Sequence, residues 1–146
     1  DTHCHLDAAE FNADRDSVAQ QSIQQGVSAI VIPAVARDNF DTVIALSKQH
    51  QHCAYALGIH PMYVDYASLD DIDILESYVK QHQPVAIGEI GLDYYVTKAN
   101  QSLQLDFFTA QLKIAKQHHL PVILHVRQAV DDILKHLRRY QLVGGI

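Results

Sequence analysis

Five short apolar, β-branched runs recur along this chain at intervals that a strand, a helix and two loops would fill. They lie around 1–6 and at 27–33, 53–59, 85–90 and 122–126. Each is nearly continuous in apolar residues, as expected of a strand buried on both faces. The intervals carry a helical rhythm. Phe40, Val43, Ile44 and Ser47 share one stripe, and Ile72, Leu75 and Val79 another. Leu105, Phe108, Leu112 and Ala115 form a third, and Val130, Ile133, Leu134 and Leu137 a fourth. All follow the i, i+3, i+4, i+7 spacing of a helix with one buried face. The interval near 14–25 is thinner, with Val18, Ser22 and Ile23, and Gly26 is placed to close it as a C-cap. Pro84 and Pro121 stand just before strands, where a helix must have ended. Gly144-Gly-Ile146 reads as the start of a sixth strand.

Repeating strand–helix units imply an α/β fold with a parallel sheet covered by helices. Two architectures fit: an open doubly wound sheet, or the first five units of a TIM-type (β/α)8 barrel, which typically needs about 250 residues. No Gly-x-Gly-x-x-Gly loop follows the first run, which counts against a dinucleotide fold. His3, His5, His60, Glu89 and His125 all fall at or just after strand C-termini. That rim is where barrel enzymes assemble their sites, so the barrel is the expected fold. No linker or low-complexity tract divides residues 1–146, and they are expected to form one portion of a single barrel domain.

The formal net charge of -6 argues against non-specific capture of nucleic acid by a basic surface. It leaves open a nucleic-acid enzyme whose positive charge is carried by bound metal. Cys4 and Cys53 are the only cysteines and form neither a disulfide framework nor a zinc spacing, so a cytoplasmic location is expected. No apolar run reaches the length of a membrane span, and residues 1–30 carry no basic–apolar signal-peptide pattern.

His3 and His5 are two residues apart, so on an extended segment both imidazoles project to one side. Glu89 sits inside an otherwise apolar run. A buried carboxylate is costly unless it is paired or metal-bound. It is a candidate functional carboxylate, and the plain alternative is a salt bridge to a neighbouring strand. Asp93 and Tyr94 follow it, with Asp93 suited either to supporting the site or to capping the next turn. His125 interrupts the fifth run as a ligand or as a hydrogen-bonded core histidine. Arg127 is two residues further on, on the same face; its fork suits a phosphate, or an ion pair with Glu89 or Asp93. His60, between Ile59 and Pro61, is placed to touch substrate or transfer a proton, or merely to decorate a loop. His50, His52, His82, His118, His119 and His136 read as solvated residues at helix ends or on exposed faces. Three histidines and one glutamate from three strands form an oxygen–nitrogen donor set. It suits a hydrolytic divalent centre of zinc, manganese or magnesium, with one ion or two. Two ions sharing the carboxylate would activate water for attack on phosphorus or on a carbonyl carbon.

With these positions gathered, the chain resembles the TatD family of metal-dependent deoxyribonucleases, within the amidohydrolase-like superfamily. The matching pieces are Asp1-Thr-His-Cys-His-Leu-Asp7, Gly58-Ile-His-Pro61, Gly88-Glu-Ile-Gly-Leu-Asp-Tyr-Tyr95, Gln111-Leu-Lys-Ile-Ala115 and Leu120-Pro-Val-Ile-Leu-His-Val-Arg127. The resemblance implies a TIM-like barrel. It implies that His3 and His5 bind one metal, that Glu89 bridges two, and that His125 binds the second. His60 and Arg127 match recurrent family positions near the substrate. The implied activity is hydrolysis of DNA phosphodiesters, often as an exonuclease, with DNA as the partner and a monomer as the expected full-length form. The family pattern continues with a histidine after the sixth strand and an aspartate after the eighth, and the latter is thought to act on the nucleophilic water. This sequence stops at Gly144-Gly-Ile146, which implies a portion of a longer enzyme or a shortened product of little activity. Two other readings stay open: a metal-dependent hydrolase of C–N bonds or of esters such as aminoacyl-tRNA, and a non-catalytic half-barrel.

Overall fold

The computed structural model describes residues 1–95 and 100–146. Among these residues, four strands form one parallel sheet in the order β1-β2-β3-β4: β1 (Ile30–Pro33), β2 (Cys53–Leu57), β3 (Ala86–Asp93) and β4 (Val122–Arg127). The helices are α1 (Arg15–Gln24), α2 (Phe40–Gln49), α3 (Asp70–His82), α4 (Gln101–Gln117) and α5 (Val130–Tyr140). Spatial order follows chain order, as strand–helix–strand repeats in a curling parallel sheet require. No helix among the described residues is long and apolar enough to cross a membrane.

Packing follows from the apolar stripes. α2 lies against β1 and β2, α4 against β3, and α5 against β4 and α4. The core between helices and sheet is built on Phe40, Phe107, Phe108, Leu57, Ile87 and Leu112, all fully buried. β3 is buried along its whole length, which explains its unbroken apolar run. The other face of the sheet carries a smaller cluster, Ala56, Ala86 and Ile123 with Val31 against them.

The structure corrects three expectations. The expected first strand, around 1–6, does not form regular strand. It runs beside β1, with the Cys4 N–H donating to Val31 O and the Val31 N–H to Asp1 O. A tight turn, with the Leu6 N–H on Cys4 O at 2.8 Å, then lifts the chain out of register. The second run begins pairing only at Ile30, because Val27 is used elsewhere. Its N–H reaches back to Ser22 O while the Gly26 N–H takes Ile23 O, the pair of bonds that ends a helix on a left-handed residue. Gly26 supplies that conformation at φ 86°, as its place in the sequence implied. On α5, Val130 and Leu134 are exposed, and the buried residues are Ile133 and His136. The helix is rotated so that His136 packs edge-on against Phe108, with ring centroids 6.1 Å apart. His136 is therefore a core residue, and burial lowers its pKa. Gly144–Ile146 lies parallel to β4, joined by three backbone hydrogen bonds: Val122 N–H to Gly144 O, Ile146 N–H to Val122 O and Leu124 N–H to Ile146 O.

Candidate metal centre

The opening segment is delivered to the sheet rim by two anchors. Leu6 is fully buried in the core. Arg15 of α1 donates to the carbonyls of Leu6, Asp7 and Ala8 at 2.6–3.0 Å. His3 and His5 then project together over β3, as their spacing implied. Glu89 is 5% exposed, and its N–H donates to Ala34 O across the sheet. His60 follows β2, tied by its N–H to Val35 O. His125 lies on β4 beside Gly91.

All four imidazoles converge on the one carboxylate. Glu89 Oε2 is 3.0 Å from His3 Nε2 and 3.2 Å from His5 Nε2, and those two nitrogens are 3.1 Å apart. Glu89 Oε1 is 3.2 Å from His125 Nδ1 and 3.5 Å from His60 Nε2. The result is two groups that share Glu89: His3, His5 and Glu89, and His60, Glu89 and His125. Glu89 makes no salt bridge to Arg127; among the described residues its ion pairs are all with imidazoles.

The donor set fits a divalent ion. Nitrogen and oxygen ligands held about 2.0–2.2 Å from such an ion stand about 3.0–3.5 Å from one another. The His3, His5 and Glu89 atoms already have those edges. The second group divides by tautomer. Asp93 Oδ2 lies 3.0 Å from His125 Nε2 and takes that proton. The Nδ1 lone pair of His125 is then left facing Glu89 Oε1, an arrangement that needs a proton or a cation between the two. His60 is the opposite case. Its Nδ1 accepts the Met62 N–H at 3.1 Å, so the neutral ring carries its proton on Nε2 and presents a donor toward Glu89.

Electrostatics follow the same geometry. Burial raises the Glu89 carboxyl, but hydrogen bonds from His125, His5 and His60 outweigh it and hold the group far below the usual carboxylate range. In return, the hydrogen bond to Glu89 raises both His5 and His125 above the ordinary imidazole value.

Several further residues support these side chains. Asp93, 1% exposed, does both things its position allowed. Oδ2 holds His125, and Oδ1 accepts the Tyr95 N–H at 3.0 Å. Asp7 faces the other ring nitrogen of His5 at 3.9 Å and is gripped by Asn39 Nδ2 at 2.8 Å. Tyr94 turns away from the centre to donate to Asp132. Two buried glutamines of α4 pin the strand ends. Gln111 accepts the Ile59 N–H and donates to Ile59 O, one residue before His60. Gln104 does the same with both backbone groups of Asp93. Their signal in the sequence is two amides seven residues apart on an otherwise apolar helix face. Replacing Gln111 by leucine strands both polar groups of Ile59 in the core. The expected loss is about 2–4 kcal/mol, read from the midpoint of urea unfolding.

Comparison with known proteins adds a family to this geometry. The family model described as "TatD related DNase" matches residues 1–146. The metal-dependent hydrolase YjjV of Escherichia coli K12, itself named as uncharacterized, is 38% identical over 144 residues, spanning 97% of this chain and 56% of the relative. The crystal structure of YjjV superposes with a TM-score of 0.92 over 97% of this chain and 56% of that one. A protein of Erwinia tasmaniensis named 3'-5' ssDNA/RNA exonuclease TatD is 31% identical over 139 residues, 94% of this chain and 54% of its own length. A TatD-family hydrolase from Entamoeba histolytica, 22% identical, shares the fold at a TM-score of 0.86. The chain thus spans about half the length of the curated relatives it matches. Its sheet corresponds to part of a TIM-barrel-like structure, with four regular strands among the described residues where five were expected.

Proposed function

The chain belongs to the TatD-related DNase family, and from that premise we propose that it carries the metal-binding half of a divalent-metal-dependent phosphodiesterase acting on DNA. The observation that carries this reading is the convergence of imidazoles from three chain segments on the two oxygens of one buried carboxylate, at ligand-to-ligand distances. In this reading His3, His5 and Glu89 would hold one ion, and Glu89 and His125 would hold a second. When bound, the ions supply Lewis-acid polarisation and a water of lowered pKa. The other residues orient and move protons. Asp93 fixes the ring of His125. His60 offers its Nε2–H to an oxygen on which charge develops. Arg127 takes a non-bridging phosphate oxygen.

The test is hydrolysis of a single-stranded oligodeoxynucleotide by the complete metal-loaded protein. Cleavage that stops on chelation and returns with zinc, manganese or magnesium supports the reading. Turnover of small esters or amides with no cleavage of the oligonucleotide moves the assignment to a different bond.

His60 has its own discriminating variant. His60→Gln is expected to lower kcat about a hundredfold or more while metal content stays unchanged. Loss of half the bound metal would instead make His60 a ligand.

Stability above pH 6.5 should fall without metal and hold steady with it. In chelated protein His5 and His125 have raised pKa values. Their stabilisation is complete below the unfolded value of 6.5 and is lost as pH rises through their folded values. Metal binding requires those protons to leave, so the loaded protein holds none of them and does not share that loss. The difference in Tm between loaded and chelated samples is therefore expected to widen above pH 6.5. The contribution of buried His136 is common to both samples and cancels. A difference that stays flat or narrows contradicts the assignment.

A further inference from the structure

Beside the cluster on Glu89, the rim carries one organised pair that the metal centre does not use. The guanidinium carbon of Arg127 lies 3.7 Å from the centroid of the Tyr95 ring. Arg127 is on the same strand face as His125, about 6.5–7 Å further along β4. The guanidinium meets no hydrogen-bond acceptor among the described residues. A free arginine at such a place would sample many rotamers, and ordering it on an anion carries an entropic cost. Here the ring fixes the plane of the fork, and none of the five N–H donors at its edge is taken among the described residues.

The ring is itself held. The Tyr95 N–H donates to Asp93 Oδ1 at 3.0 Å, and the Tyr94 N–H donates to Arg127 O at 2.9 Å. Oδ2 of the same carboxylate holds His125. Asp93 therefore couples the turn that carries Tyr95 to a proposed metal ligand. Tyr95 is 60% exposed, so the core does not require its ring.

We propose that Tyr95 is a positioning residue for substrate. It stacks on Arg127 and presents the guanidinium fork, in a set orientation beside the metal centre, to a phosphate of the polynucleotide. This rests on the phosphodiesterase reading above. It assigns to Tyr95 a share of substrate affinity and none of the bond-breaking chemistry.

The experiment measures KM and kcat of the complete manganese-loaded protein on a single-stranded oligodeoxynucleotide. Tyr95→Leu is expected to raise KM about three- to tenfold, the scale of an exposed to partly desolvated cation–π contact. kcat should change less than about twofold, and metal content and Tm should not move. Tyr95→Phe keeps the ring and should restore KM. Arg127→Ala should raise KM at least as much as Tyr95→Leu, and adding Tyr95→Leu to Arg127→Ala should cost nothing more. Four results would overturn the proposal: an unchanged KM in Tyr95→Leu, a Phe variant as impaired as Leu, additive losses in the double variant, or a fall in kcat alone. If the unsubstituted protein fails to cleave the oligonucleotide, the functional reading falls and this proposal falls with it. If it cleaves normally and Tyr95→Leu does the same, only the role of Tyr95 is lost.

Discussion

Replacing Glu89 by alanine is expected to remove both metal content and hydrolysis, with activity down at least about a thousandfold. The size of the effect follows from how much meets at this one side chain. His3, His5, His60 and His125 all point at its two oxygens. Without it, His3 Nε2 and His5 Nε2 face each other at 3.1 Å with no anion to share, and His125 keeps only Asp93. Glu89→Gln sharpens the test, because the amide keeps the shape and removes the charge. Half of its polar surface becomes a donor aimed at nitrogens that must stay unprotonated to bind metal. Both variants should bind manganese too weakly to measure at concentrations that saturate the unsubstituted protein. Full metal content with full cleavage in either would end the proposed chemistry.

Gly91→Ala is expected to cost about 3–5 kcal/mol, lowering Tm by about 10–15 °C. Two independent terms act at this position. Its φ of 151° is one that residues with a Cβ rarely adopt. A Cβ built there would also overlap the carbonyl oxygen of His125 on the adjoining strand. Since β3 and β4 cannot separate without moving His125, metal affinity should fall together with stability. Calorimetry and metal titration of one preparation read both. A variant with unchanged Tm would show that the strands have room the structure does not provide.

The contrast between these two residues shows how far the sequence could be read. Glu89 stood out because a carboxylate in an apolar run is chemically anomalous wherever it lies. The role of Gly91 depends on what β4 puts beside it, which nothing in its own neighbourhood states. His3 and His5 were legible for the same local reason as Glu89, since spacing on an extended segment fixes the side they share. His60 was seen as a site residue. Its difference from His125 lies in the Met62 N–H, which occupies one ring nitrogen and so sets the tautomer. The part played by Gln104 and Gln111 became visible only with the strand ends they pin in place. Local pattern also misled in places. Val130 and Leu134 keep helical spacing yet face outward, because α5 packs on β4 and α4 through Ile133 and His136 instead.

Residue types and their periodicity were enough to determine an α/β parallel architecture, a rim rich in imidazoles and a buried carboxylate among them, since all of these follow from short-range rules. Tertiary structure alone decided that His3 and a carboxylate 86 positions away would stand 3.0 Å apart, and which nitrogen would face which oxygen. Short-range rules fix directions over a few residues; an ion site is specified to a few tenths of an ångström, and only the packing of helices on the sheet sets distances that fine.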